Sequence, residues 1–503
     1  MIQNAAKLLE PVWLDASFQW NWRMASHLMN RAGFGGSAAE IDRLIQMGPQ
    51  ASVNHLINYR AMPDTLPALE FSSLSHPKFR SLREHRRFMK SLSRPEKREY
   101  FQLYFAANFA KMQEMRCWWM NRMVQTPRPL EEKMTLFWHG LFVSAFSMVN
   151  SSYHMYLQNQ LFRQFATGSA KELTVAVSRD PAMLRYLNNN QNRKGHPNEN
   201  YARELMELFT MGIGNYTEED VRESARAWTG WTFVGDTFVF RANQHDFGRK
   251  TFLGETGDFD GRDIVNIIFS KPATARHFAI KLAAFFGSDD PPPELITALA
   301  ETLRQANWHV DAVLQTLFSS RWFYSDQVVR RKIKSPVELV AGALRMLRTP
   351  VANSLSVLAG MTNMGQQLFE APNVGGWPHG RGWINTSTLF ARYAVPLYMV
   401  SGRPPQNLPP AARHAADYAP FETGFSPEKM LAEQNISTTG AAVDFFVDLL
   451  IQDRIEPTKR NALLQAISNI NSPRDEPLNM GSAHWKLLNL LELVMAMPEY
   501  QLC

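Results

Sequence analysis

Asn198-Glu199-Asn200-Tyr201-Ala202-Arg203-Glu204-Leu205-Met206-Glu207-Leu208-Phe209 follows a polar run, Arg193-Lys194-Gly195-His196-Pro197. Tyr201, Leu205, Leu208 and Phe209 recur at three- and four-residue spacing, which is the apolar face of an α-helix. Glu199, Arg203 and Glu207 stand at i, i+4 and i+8 and fall on a second, charged stripe. The same helical period recurs through most of the chain on either side, so the sequence predicts a mainly α protein. Two carboxylates, a guanidinium and an asparagine on one helix can wall an active site. The spacing also gives an intrahelical ion-pair row, and the residues alone leave both readings open.

Upstream, Asn188-Asn189-Asn190-Gln191-Asn192 favours turns and is not expected to pack a core. Leu130 to Val149 reads as one helix. His139 sits inside it on an apolar segment, where a core histidine is the commoner reading than a ligand or base. Residues 80–126 read as long helix with a boundary at Pro95, and Ala25 to Leu56 as two short helices. Downstream, Gly212 and Gly214 stop the opening helix. Thr217-Glu218-Glu219-Asp220 then starts another with a capping-box pattern in which Asp replaces the usual Glu or Gln. Arg222 and Arg226 are one turn apart on it. Thr237-Phe238-Val239-Phe240 and Lys250-Thr251-Phe252-Leu253 break the helical period and predict a small β-hairpin or ribbon near 237–253. Ala371 to Thr386 is irregular and rich in Gly and Pro, and carries Asn373, Trp377 and Trp383.

This organisation gives an N-terminal segment (1–24), a main helical domain (25–400) with the ribbon inserted, a Pro/Ala-rich linker (401–435) and a C-terminal helical unit (436–503). The chain has 503 residues, 45% apolar and 20% charged, which is ordinary for a globular protein. Thirteen Trp and 32 Phe predict an aromatic-rich core or an aromatic-lined cleft. The net charge of +6 is weak. It is concentrated between Lys78 and Arg98, more often a solvated helix face than a contact for nucleic acid, which is not an expected partner. Cys117 and Cys503 form neither a disulfide framework nor a zinc pattern. Met1 to Trp22 lacks the apolar run and cleavage site of a secretory signal, so a cytoplasmic location is expected. No run of about 18 apolar residues predicts a transmembrane helix.

Several spaced blocks occur together: Arg31-Ala32-Gly33-Phe34-Gly35, Met134-Thr135-Leu136-Phe137-Trp138-His139, the Arg193 to Leu205 run, Trp228-Thr229-Gly230-Trp231, His245-Asp246, Lys250 to Gly254, and Pro372-Asn373-Val374 with Gly376-Trp377-Pro378. In this order they resemble a large bacterial domain-of-unknown-function family numbered eighteen hundred, over roughly residues 25 to 500. The resemblance implies no established reaction. It implies that many relatives look exported, and that a sulfatase- or phosphatase-like protein encoded beside them is a partner. Relatives often carry a second histidine or asparagine after the Trp-His pair, where this chain has Gly140-Leu141.

Four polar blocks on loops or helix starts carry the candidate chemistry. Glu204 or Glu207 would act as general acid or base, with His245, beside Asp246, as a second proton carrier. Asn198, Glu199, Asn200, Arg203, Arg222, Arg226 and Asn373 would bind substrate. Trp231, Trp377 and Trp383 would stack on it, a glycan being the expected class. A metal-dependent hydrolase is an alternative, because His139, His245, Asp246, Glu204 and Glu207 supply suitable atoms. The spacing is poor, with no His-Glu-x-x-His, and no metal or cofactor is assigned. A non-catalytic helical scaffold is the other alternative. Nucleotide-binding loops and the serine-hydrolase elbow are missing.

Overall fold

The structure is a computed structural model that describes residues 7–72, 82–349, 354–402, 423–468 and 475–503. It is mainly α-helical, with two two-stranded antiparallel sheets. No helix among the described residues is long and apolar enough to cross a membrane. The central element is the helix Pro129–Leu141, in which every residue except Gly140 is buried. Leu130, Met134, Phe137, Trp138 and Leu141 belong to an apolar core that runs from Val12 to Tyr500. Around it lie the long helix Arg94–Gln125 and the helices Ser152–Gln164, Trp22–Ala32 and Pro336–Met346. The helix His484–Ala496 packs on Thr386–Ser401.

Local sequence signals set most helix ends. Ser37 with Glu40, Ser93 with Glu96, Thr217 with Asp220 and Ser335 with Glu338 all form capping boxes. Pro49, Pro129, Pro181 and Pro336 each open a helix, where the missing N–H costs nothing. Two expectations need correction here. Ala25 to Leu56 holds three helices, Trp22–Ala32, Ala38–Met47 and Pro49–Ile57. The helix begun at Pro129 stops at Leu141, and a separate short helix, Phe146–Val149, follows it.

The small β insertion is present, but its strand pairing differs from expectation. β1 (Trp231–Val234) pairs with β2 (Thr237–Phe240), and β3 (Lys250–Phe252) pairs with β4 (Glu255–Gly257). Each predicted strand therefore pairs with its immediate neighbour across a tight turn. The intervening loop is instead tied to the end of the helix Glu218–Ala227. The basic run divides as well. Lys78 and Arg80 lie outside the described residues, while Arg87, Lys90, Arg94 and Arg98 are exposed on the helices Leu82–Ser91 and Arg94–Gln125. Residues 403–422 of the Pro/Ala-rich stretch also lie outside them, and Pro427–Glu433 is helical.

The central helix carries charge into the core. Glu132 is fully buried. Its Oε1 accepts from Arg122 Nε and Arg163 Nε, both at 2.8 Å. Its Oε2 accepts from Trp119 Nε1 at 2.8 Å and Arg163 Nη2 at 2.9 Å. Lys133, also buried, places Nζ 2.6 Å from Glu338 Oε1 on the helix Pro336–Met346. Burial alone would raise the Glu132 carboxyl, but Arg163 and Arg122 outweigh it and hold it down at about 2. A carboxylate depressed in the folded state stabilises the fold above its ordinary value of 4.5, and that contribution is lost as pH falls toward about 2. Replacing Glu132 with Gln leaves two buried guanidiniums short of a counter-charge. It is expected to cost about 3–5 kcal/mol in urea unfolding, and to flatten the loss of stability between pH 4.5 and 2. A variant as stable as the parent would rule out this role.

Candidate functional site

The opening helix is not α-helical throughout. Asn200–Glu204 is α-helical, and Leu205–Thr210 continues as a π-helical turn. Such turns carry an extra residue, re-aim the side chains around them, and are frequent at functional sites. Of the apolar stripe Tyr201, Leu205 and Phe209 are buried and Leu208 is half-buried, while Met206, outside the stripe, is buried as well. Phe209 packs edge-on to Phe142, with centroids 5.5 Å apart.

The charged stripe does not form one row. Arg203 Nη2 pairs with Glu199 at 3.2 Å. The same guanidinium forms two bonds of 2.7 and 2.8 Å with Glu218 on the next helix. Glu207 instead accepts a 2.8 Å bond from the Tyr216 hydroxyl. Glu204 is half-buried and makes no hydrogen bond or ion pair among the described residues. Burial, then Glu207, raise its carboxyl above the ordinary range, against the pull of Arg203. Tyr186 is close enough to feel Glu204: burial, Glu370 and Glu204 together raise its phenol. Sequence spacing has no rule that would have found Tyr186, Tyr216, Glu218 or Glu370. They arrive from other elements.

The remaining predicted residues form other groups. Asn198 accepts from Asn200 N at 3.0 Å and donates its own N–H to Asn192 Oδ1 at 2.9 Å. Asn192 and Asn189 are buried, contrary to expectation. Asn192 succeeds there because its amide bonds to Ala225 O and Asn189 Oδ1. Arg222 pairs with Glu219 one turn away. Arg226 holds Glu223 and Asp246, each at 2.8 Å. The Arg226 bond, opposed by burial, keeps the Asp246 carboxyl below its usual range. His245 is 4% exposed, with Nδ1 2.8 Å from the Thr229 carbonyl oxygen. Thr229 Oγ1 also accepts from Asp246 N at 2.8 Å. Gly230 lies between, at φ +79, where an added Cβ would sit 2.6 Å from Arg241 O. His245 and Asp246 thus anchor the loop to a helix end.

The tryptophans are enclosed by protein. Trp231 lies beneath the Arg179 guanidinium at 5.4 Å and against Trp228 at 4.7 Å. Trp383 is 5% exposed and Trp377 6%. Trp377 meets His139 edge-on at 5.2 Å, in surroundings shared with Trp119 and Phe369. Burial lowers His139 to about 3, so its ring is neutral. Gly376 lets this contact form: at φ +91, an added Cβ would lie 2.6 Å from Gly140 O. Asn373 is exposed and bonds to Gly375 N at 2.9 Å. These indoles present no open face, so they do not line a cleft with Glu204. Among the described residues, no three His, Cys, Asp or Glu side chains are grouped as a metal ion would need.

Among the residues named from sequence, Glu204 and Glu207 are thus the pair whose chemistry is least settled by protein partners, and they sit at the centre of the family-like blocks. No curated protein and no solved structure matches the chain. One family model does, and it spans nearly everything described above, from the helix Trp22–Ala32 to the C-terminal residues. With residues 27–502 matched, the chain belongs to the family described as Protein of unknown function (DUF1800).

Proposed function

We propose that the chain is a hydrolase or lyase that works by carboxylate acid–base chemistry at Glu204 and Glu207, on a glycan-type substrate. The observation that carries this reading is the state of Glu204. It is half-buried and unpartnered among the described residues, and its proton affinity is raised by burial and by Glu207. A carboxyl of raised proton affinity beside a second carboxylate suits acid–base bond cleavage. In hydrolysis, Glu204 gives its proton to the leaving-group oxygen as the C–O bond breaks. Glu207 takes a proton from the water whose oxygen bonds to the carbon. Tyr216 is a positioning residue, because its hydroxyl fixes one Glu207 oxygen. Arg203, Asn198 and Glu199 make the neighbouring surface polar enough for a hydroxyl-rich substrate.

Glu204→Gln keeps shape and removes the proton. It is expected to lower kcat by about 10²–10⁴-fold on the active member of a panel of glycosides and polysaccharides, with unchanged thermal unfolding. Because Glu204 acts in its protonated form, parent activity should fall as pH rises past its raised value. The Gln variant should lack that limb. Undiminished turnover by Glu204→Gln would make the carboxylate structural.

A second reading, a non-catalytic scaffold for a partner protein, has one observation in its favour. Phe101, Phe105 and Phe109 lie on one face of the helix Arg94–Gln125 and are 42%, 52% and 58% exposed. The family resemblance suggests a sulfatase- or phosphatase-like partner. Replacing all three with Ser should leave the fold intact and abolish co-elution with that purified partner. Co-elution that survives would remove this reading.

A further inference from the structure

The helix Arg94–Gln125 joins the core only from Asn108 onward, its first buried residue. The part before it, about 21 Å of helix at 1.5 Å per residue, projects from the core. That projection is fixed at its base. Asn108 Oδ1 accepts from Ser152 N at 2.9 Å and from Ser152 Oγ at 3.0 Å. Asn108 Nδ2 donates to Tyr104 O at 3.0 Å. The exposed turns thus belong to a helix that is anchored on the body of the protein.

No charged residue occurs from Tyr100 to Ala110. Phe101, Phe105 and Phe109 are spaced i, i+4 and i+8 there and form one exposed stripe. The rings of Phe101 and Phe105 lie nearly parallel, with centroids 6.3 Å apart. Exposure is not confined to that stripe. Leu103 points about 160° from its midline and is 51% exposed. Ala106 and Ala110 are exposed as well. A groove on another protein covers one side of a helix. Apolar groups on several sides are better met by a fluid hydrocarbon layer, which closes around them.

The charge on the stripe has one sign. Arg94 and Arg98 continue the phenylalanine stripe toward the start of the helix, and all five residues fall within about 80° of one another. Glu96 and Glu99 lie about 120° or more from its midline, and Glu96 is engaged in the cap with Ser93. The helix Leu82–Ser91 adds Arg87 and Lys90, both exposed. It is brought alongside by Phe88, whose ring meets Tyr100 edge-on at 5.2 Å. None of Arg87, Lys90, Arg94, Lys97 and Arg98 makes a hydrogen bond or ion pair among the described residues. From Leu82 to Ala110 the sequence holds seven Lys and Arg against three Glu, a surplus of four in a chain whose whole surplus is six.

We propose that this projection docks on the surface of an anionic lipid bilayer. Phe101, Leu103, Phe105 and Phe109 enter the acyl boundary, and Arg87, Lys90, Arg94 and Arg98 sit on the phosphate headgroups. Such a surface offers apolar depth beside anionic charge, which is the pairing that the projection presents. The docking does not depend on the chemistry at Glu204. The same phenylalanines serve the scaffold reading above. Lipid is favoured over a soluble protein by the exposure on several sides and by the unpaired cations that continue the stripe.

The test is sedimentation of the full chain with vesicles of phosphatidylcholine alone and of phosphatidylcholine with phosphatidylglycerol. Binding to the phosphatidylglycerol vesicles is expected to be about tenfold or more tighter, and to weaken as salt is added. Replacing Phe101, Phe105 and Phe109 together with Ser should lower that affinity about tenfold or more. Arg94→Gln combined with Arg98→Gln should lower it about tenfold and narrow the difference between the two vesicle types. These positions are exposed, so thermal unfolding should not change. Trp485→Ser removes a ring that is 54% exposed elsewhere and should bind like the parent, as should Glu204→Gln. The proposal is overturned if the parent stays in the supernatant with both vesicle types, even where the three phenylalanines prove necessary for co-elution with a soluble partner. It is equally overturned if the triple Ser variant, or the Arg94 and Arg98 double variant, binds the phosphatidylglycerol vesicles as tightly as the parent.

Discussion

A glutamate with no access to water stays ionised only if the protein replaces its hydration, and Glu132 shows how much of this fold follows from that requirement. Its two oxygens receive four donors within 2.9 Å. Those donors come from the helices Arg94–Gln125 and Ser152–Gln164, so the two helices can approach the central one in few ways. The guanidiniums of Arg122 and Arg163 both lie over Trp118, at 5.4 and 5.2 Å. The ion cluster is thereby enclosed by aromatic surface, where its charges are poorly screened and strongly coupled.

The neighbours of Glu132 extend the same constraint. An α-helix turns 100° per residue, so Glu131, Glu132 and Lys133 point in three directions. Glu132 meets the arginine pair, Lys133 meets Glu338, and Glu131 lies beside Arg128. Carboxylates in a first turn also suit the positive end of the helix dipole. Glu338 has a second duty, because it closes the capping box of its own helix through Ser335 N at 2.7 Å. Glu40 likewise caps Ala38–Met47 and pairs with Arg345, whose Nη1 also bonds to Val124 O and Thr126 O. The caps that begin helices are thus the ties that join them.

This double use explains what was legible in the sequence. Capping boxes, prolines at helix starts and the 3.6-residue period are local signals, and they placed most helices and the mainly α class. The spacing that marked Glu204 and Glu207 was local as well. What escaped depends on residues far away in the chain. Asn189 and Asn192 look like turn residues but are buried, because Ala225 O supplies an acceptor 33 residues downstream of Asn192. The Glu199-Arg203-Glu207 row looks self-contained, yet Glu218 takes up Arg203 from the following helix and Tyr216 takes up Glu207. The strand pairing departs from the sequence pattern for the opposite reason. Tight turns at Gly235 and Gly254, both at positive φ, close each pair over a shorter range than the spacing of the β-like runs suggested.

The distinction that separates fold from chemistry here is whether a polar group is already satisfied. His245, Asp246 and Arg226 belong to motifs as marked as any in the chain, but their bonds are made within the protein, and Asp246 is held ionised by Arg226. A group fixed in one protonation state by a strong partner is poorly suited to passing protons. Trp377 and His139 leave ring nitrogens unpaired, but an apolar enclosure keeps the imidazole neutral and out of reach of solvent. Glu204 differs from all of these. Its carboxyl is raised by burial beside a second glutamate, it makes no hydrogen bond or ion pair among the described residues, and it is only half-buried. Folding accounts for the satisfied groups, because removing a partner would cost stability. Glu204 makes no such bond among the described residues, so folding places no comparable demand on its carboxyl.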